Sequence, residues 1–299
     1  MTDPILVRGS HLAAVFGKSP YLSRWMLWQH LANGLDVSPK ANERMDWGQR
    51  IEPVVLPVAL DELSCQRTLF PGNVKRSRHP SLPLIVTADS VILDKDGRPG
   101  TIEVKCVDWK RWRDTWTADR APDHVEIQLA GQMMTGDGVT PFQWGAIACL
   151  VGGNELRMYV RQPEPEVWSR IGSEVTAFVE LVRAGAEPDP AGLEREIPYL
   201  NEQFLRSKEP EPIDLTADPR GEALAEIALM YRAAFTAKKF YEAEHTRLRA
   251  TLLHQAGGHR RLILPHGVTV RLTPSGRGVH ITVDGGPGAD AVPKPEVAL

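Results

Sequence analysis

Three cysteines in 299 residues, Cys65, Cys106 and Cys149, are too few and too widely spaced for a disulfide framework or a zinc knuckle. Their scarcity predicts a reducing, cytoplasmic setting. No apolar run approaches the roughly 20 residues of a membrane span. The N-terminus also lacks a charged segment followed by an apolar core, so neither a leader nor a membrane anchor is expected. Neither sign of charge is in excess: 35 Lys and Arg against 38 Asp and Glu leave a net charge of −3. The chain as a whole is no polycation, and any contact with nucleic acid has to be local. What remains, 42% hydrophobic and 24% charged residues, is an ordinary globular composition, long enough for one large α/β domain and an appendage.

The most informative stretch is Leu84–Val107. Two β-branched runs, Leu84–Leu93 and Thr101–Val107, flank an Asp94-Lys95-Asp96-Gly97 turn signal, which predicts a hairpin. Alternation along a strand puts Glu103 and Lys105 on one face, with Ile102 and Val104 on the other. The paired strand can bring Asp89, the one charge between Leu84 and Leu93, beside them. Two carboxylates and an ammonium converging among apolar residues are costly unless paired, and a divalent metal would offset that cost. The alternative is a solvated face of an antiparallel hairpin, where charged residues alternate as a matter of course. Local basic charge flanks the stretch: Lys75, Arg76, Arg78 and His79 before it, Lys110, Arg111, Arg113 and Arg120 after it.

Around this hairpin the chain reads as helices and strands in turn. Ser10 is placed to cap a short helix closed at Gly17, or else to bind a phosphate with Arg8. Ser19-Pro20-Tyr21 opens a second helix ending near Gly34. Glu43–Leu63 is a long helix in which Gly48 allows close packing and Glu52 shares that packed face, paired with Arg44 or Arg50 or facing a metal. Trp109, Trp112 and Trp116 fall on a helical period, either as an apolar stripe or with one ring free to stack on a base. A helix from about Asp123 to Gly136 carries Gln128 and Gln132 four apart on one face. Strands at 142–151 and 155–160 complete a mixed sheet, and 167–182 is an amphipathic helix. The predicted division is a domain over 1–184, a loop and linker region over 185–219, a helix plus β-hairpin unit over 220–283 and a disordered tail over 284–299.

Asp89 followed by Glu103-Val104-Lys105 resembles the PD-(D/E)XK nuclease superfamily, with Thr87-Ala88 where many members have a proline. The wider series is Arg8-Gly9-Ser10, Ala13-Ala14-Val15, Gly17, Ser19-Pro20-Tyr21, Leu27-Trp28, Trp47-Gly48, then Glu52-Pro53-Val54-Val55. Together with the hairpin it resembles, from about residue 7 to 183, the YqaJ family of phage-type recombination exonucleases, relatives of the lambda exonuclease branch.

That resemblance implies an α/β (α+β) fold: a restriction-endonuclease-like core with a central mixed β-sheet flanked by helices, plus the C-terminal long helix and small β appendage. It implies a Mg²⁺-dependent deoxyribonuclease (Mn²⁺ a possible substitute) with a two-metal site, degrading duplex DNA ends 5′→3′. Asp89, Glu103, Lys105 and Gln128 would be catalytic, and Glu52, Asp89, Glu103 and the Val104 carbonyl would bind metal. Arg8, Ser10 and Gln132 would contact DNA phosphate. Ala130 stands where the family often has a further glutamine. A single-strand annealing protein as partner and a homotrimer are further implications. The rival expectations are a RecB-type or endonuclease module, and a non-catalytic DNA-binding or assembly subunit.

Overall fold

The computed structural model describes residues 4–38, 43–65, 67–68, 75–88, 90–206, 214–275 and 278–285. The chain divides into two compact units, Met1–Lys208 and Glu209–Leu299.

The first unit begins with β1 (Val7–Arg8), a 3-10 turn over Gly9–His11, α1 (Leu12–Val15), α2 (Arg24–Asn33) and α3 (Glu43–Glu62). Then come β2 (Arg67–Thr68), β3 (Lys75–Arg78), β4 (Leu84–Ala88), β5 (Ser90–Leu93) and β6 (Pro99–Val107). The remainder is α4 (Trp109–Thr115), α5 (Asp123–Thr135), β7 (Trp144–Val151), β8 (Glu155–Arg161), α6 (Pro165–Arg183) and α7 (Ile197–Arg206).

The strands make a five-stranded sheet ordered β2-β5-β6-β7-β8 and a three-stranded sheet ordered β1-β4-β3. β6 and β7 run parallel while the other pairs of the larger sheet are antiparallel, so that sheet is mixed as expected. Leu84–Leu93, read as one strand, is two: β4 belongs to the small sheet and β5 to the large one. The turn after β5 forms as the Asp-Gly signal requires. Asp94 Oδ1 accepts the amides of Asp96 and Arg98 at 2.9 and 2.8 Å, and Gly97 takes φ 76°.

Helices cover both faces of the large sheet. α3 packs Val55 and Ala59 on Ile102, Val104, Ala146 and Ala148. On the other face α5 lays Val125, Leu129 and Met133 over Ile147, Cys149 and Val151. Parallel register places Ile147 beside Glu103 and Cys149 beside Lys105, so the two charged residues share the α5 face.

Several local expectations are corrected. Ser10 makes no capping bond; it is exposed in the 3-10 turn. α2 starts at Arg24 because Ser23, not Ser19, caps it, accepting Met26 N at 3.1 Å. Ser19 instead closes a turn onto the amides of Tyr21 and Leu22. Gly48 meets no neighbour; α3 turns its Val55, Ala59 and Leu60 side inward and leaves Trp47, Val54 and Val58 exposed. α4 ends at Thr115, with Trp116 in extended backbone. Trp112 and Trp116 pack with the α5 layer, whereas Trp109 stays 46% exposed. α7 falls in the stretch expected to be loop and linker. It is preceded by a 3-10 turn in which the buried Glu196 accepts the amides of Ala191 and Leu193 at 3.2 and 2.9 Å.

The second unit is α8 (Gly221–Ala256) followed by β9 (Arg261–Ile263), β10 (Thr269–Ser275) and β11 (Gly278–Asp284), an antiparallel sheet ordered β11-β10-β9. Its core is Ala256, Val270 and Leu272, with Leu252, Leu253, Leu262 and Ile281 around them. The expected tail lies outside the described residues from 286 onward. Among the described residues no helix is long and apolar enough to cross a membrane.

Candidate active site

Glu103 is 2% exposed. A buried carboxylate is tolerated only when its oxygens are bonded, and three side chains bond this one. Gln128 Nε2 donates to Oε1 at 2.7 Å and Gln132 Nε2 to Oε2 at 2.6 Å. Lys105 forms an ion pair with Oε1. The two glutamines reach the same carboxylate because residues four apart share one side of α5. Lys105 reaches it because residues two apart share one side of β6.

Gln132 is itself 1% exposed and also donates to the Thr87 carbonyl of β4 at 3.0 Å. It is thus an interior strut between the two sheets, which corrects the expected contact with DNA phosphate. Its Oε1 has no hydrogen-bond partner among the described residues.

Glu52 on α3 makes no ion pair among the described residues. The two local arginines considered for it are engaged elsewhere: Arg44 binds Asp108 at 2.5 Å, and Arg50 lies over the Trp47 ring at 5.7 Å. Burial raises the Glu52 pKa above its usual 4.5, the Glu103 charge raises it further, and Lys105 opposes both. The Glu103 charge therefore reaches Glu52, although α3 and α5 cover opposite faces of the sheet.

Asp89 lies outside the described residues. Its neighbour Ser90 pairs with Ile102, the residue before Glu103. The Val104 side chain is buried among Val55, Ala59 and their neighbours, on the face opposite Glu103. Arg8 and Ser10 are both exposed, Arg8 on β1 and Ser10 in the turn after it; neither is bonded to the Glu103 cluster.

His124 escaped the sequence reading. It lies on α5 one turn before Gln128, so 124, 128 and 132 form a single polar stripe, a spacing that was visible. The Tyr21 ring meets His124 edge-on at 5.7 Å, and the Arg111 guanidinium lies over Tyr21 at 5.3 Å while bonding its hydroxyl. Burial, then the charges of Arg111 and Lys105, push the His124 pKa down to about 4 against the pull of Asp123. At neutral pH it is an uncharged imidazole. A cavity of about 570 Å³ opens beside it, lined by Lys18, Ser19, Arg111 and Arg120.

The donor chemistry suits a hard divalent cation, since carboxylate and carbonyl oxygens are its usual ligands. The mutual repulsion of Glu52 and Glu103 is what such an ion relieves. Among the described residues no cluster of three or more acidic, histidine or cysteine side chains makes a closed cage. What they supply is the Glu103 carboxylate and the Lys105 ammonium on the α5 side of β6, with Glu52 of α3 close enough to feel both charges.

Residues 5–138 match the family model of the YqaJ-like viral recombinase domain. It is the family that the motifs resemble. The match spans β1 to the end of α5, holding Glu52, Glu103, Lys105 and both glutamines, and stops before β7. No curated protein matches the chain. Among solved structures, an alkaline exonuclease (LHK-Exo) from Laribacter hongkongensis is similar over 68% of this chain and 94% of its own, at 20% identity and a TM-score of 0.49. LHK-Exo in complex with dAMP aligns with the same values.

Proposed function

We propose that this chain is a metal-dependent deoxyribonuclease, a phage-type exonuclease that degrades one strand of duplex DNA ends 5′→3′ and leaves single-stranded tails for recombination. The observation that carries this reading is the buried Glu103 carboxylate, clamped by Gln128 and Gln132 and paired with Lys105, with Glu52 near enough to repel it. The YqaJ-like match over the same residues supports it. Glu103, Asp89, Glu52 and the Val104 carbonyl would hold Mg²⁺, with Mn²⁺ as a substitute and two ions as the expected number. When bound, a divalent cation acidifies a water and neutralises charge at the scissile phosphate.

The chain's own residues do the rest. Gln128 and Gln132 fix the Glu103 rotamer before substrate arrives, which removes an ordering cost from the reaction. The Lys105 side chain is 29% exposed beside a Glu103 side chain at 3%, so it stands at the wet edge of the cluster. There it orients the attacking water and takes its proton. Arg8 and Ser10 are assigned to the terminal phosphate. A single-strand annealing protein and a trimeric assembly complete the proposal.

The test is digestion of 5′-labelled and 3′-labelled linear duplexes beside covalently closed circles. Mg²⁺-dependent release of acid-soluble nucleotides from the linear forms alone, with the 5′ label lost first, is expected. Glu103→Gln should lower that release by at least ~100-fold, the scale of lost metal chemistry. Equal cutting of closed circles points to an endonuclease, and no release with Mg²⁺ or Mn²⁺ overturns the reading.

A further inference from the structure

Between Glu244 and Asp284 the sequence has no acidic residue. Those 39 positions hold six arginines, Arg247, Arg249, Arg260, Arg261, Arg271 and Arg277, in a chain whose net charge is −3. An acid-free basic block of this length is the footprint of a polyanion.

The fold of the second unit adds an independent observation. In the β9-β10-β11 sheet, Val270 and Leu272 point into the core beside α8, so Arg271 and Thr273 point to the opposite, solvent face. Directly paired residues share a face. Arg271 pairs with Arg261 on one side and Thr282 on the other, and Thr273 pairs with His280. Two arginines therefore stand directly opposite each other on one open sheet face, flanked by hydroxyl and imidazole donors. Like charges in that position destabilise a sheet. Asp284, at the rim of the same face, bonds Arg271 and offsets part of the repulsion. Arg261 is exposed and has no ion pair among the described residues.

We propose that the outer face of the β9-β10-β11 sheet, centred on Arg261 and Arg271, is a docking surface for the phosphate backbone of duplex DNA. The paired guanidiniums suit phosphate oxygens, which accept two N–H bonds from one Arg. Contacts to phosphate carry no sequence information, so binding through this face is sequence-independent. The site lies in a different unit from the Glu103 cluster and does not depend on the nuclease reading, because binding can be measured without turnover.

The test uses the full chain in EDTA with a fluorescein-labelled 30-base-pair duplex, following anisotropy from 50 to 300 mM salt. Arg261→Ala/Arg271→Ala should weaken binding about tenfold or more and flatten the log K against log salt slope by ~1.8, the loss of two phosphate contacts. Arg232→Ala, an exposed change on α8 outside the block, should leave both unchanged, and circular dichroism melting should show both variants folded. Affinity and slope equal to the parent's in the double variant would overturn the assignment. So would loss of binding to anionic phosphatidylserine vesicles with duplex binding intact, which would make the face a membrane contact.

Discussion

Gln132 and Glu103 are tied at 2.6 Å, and the same Gln132 amide nitrogen also holds the Thr87 carbonyl at 3.0 Å. One side chain therefore fixes a carboxylate on β6 and the last turn of backbone before β4 ends, on either side of the gap where the two sheets part. Glu103 is placed from the helix layer as much as from its own strand.

Replacing this strut should separate stability from chemistry. Gln132→Leu keeps the volume and removes both bonds, leaving the Thr87 carbonyl and one Glu103 oxygen short of a donor. A loss of ~1–3 kcal/mol in urea unfolding is expected for such an unsatisfied buried group. In the digestion assay kcat should fall while KM stays within twofold, because the variant misplaces Glu103 and leaves the exposed DNA contacts alone. A rise in KM at constant kcat would return Gln132 to a substrate contact.

Glu52 gives a prediction whose sign is set by its raised pKa. A carboxyl raised in the folded state contributes stability below its unfolded pKa, near 4.5, and loses that contribution as pH rises through the folded value. In EDTA, above that value, the parent carries the penalty of an ionised Glu52 within reach of the Glu103 charge. Glu52→Gln should then be the more stable protein at pH 7, with the difference shrinking as pH falls through the raised value toward 4.5 and gone below it. Mg²⁺ should reverse the order, raising the Tm of the parent more than that of the variant. Thermal melts at both pH values, with and without Mg²⁺, decide it.

What could be read in the sequence was whatever depended on local periodicity. Glu103 and Lys105 facing together, Gln128 and Gln132 sharing a helix side, and the Asp94–Gly97 turn all follow from strand, helix and turn geometry, and each is found. Long-range partners were not legible. The second helix was expected to open at Ser19-Pro20-Tyr21, and it opens after Ser23, whose side chain caps it. Gly48 suggested a close approach, but α3 turned its Val55 and Ala59 side to the sheet instead. The role of Gln132 could not be seen, because its second acceptor, Thr87, lies 45 residues away. Asp89, the residue on which the sequence argument leaned most, lies outside the described residues. His124 was legible by its spacing from Gln128 and was passed over because histidine carries no strong helical signal.

Gly100 offers a packing test away from the chemistry. It sits level with Trp144 in the parallel β6–β7 register, and a Cβ there would come within 2.3 Å of the indole ring. Trp144 is 4% exposed and has little room to retreat. Gly100→Ala should cost ~1–3 kcal/mol, the usual range for an overpacked core. Serine should cost at least as much. Urea denaturation followed by tryptophan fluorescence measures it, and an unchanged midpoint would show that the indole can move.

His11 and His124 together predict how the fold responds to acid. Burial pushes both imidazoles from 6.5 down to about 4; His30 and Arg8 add to this at His11, and Arg111 and Lys105 at His124. A group depressed in the folded state is protonated first in the unfolded chain. Its contribution to stability is whole above pH 6.5 and drains away as pH falls toward 4. Each imidazole can steepen the loss by up to about 1.4 kcal/mol per pH unit, the value for one proton. The urea midpoint should therefore drop between pH 6.5 and 4.5, and more steeply in a Glu52→Gln background, because Glu52 pulls the other way as it takes up its proton. His124→Gln should remove about half of the slope, and His11→Gln together with it most of the rest. A midpoint independent of pH in the parent would mean that both rings are already charged or already hydrated in the fold. In that case the neutral imidazole beside Lys105 would be lost from the site.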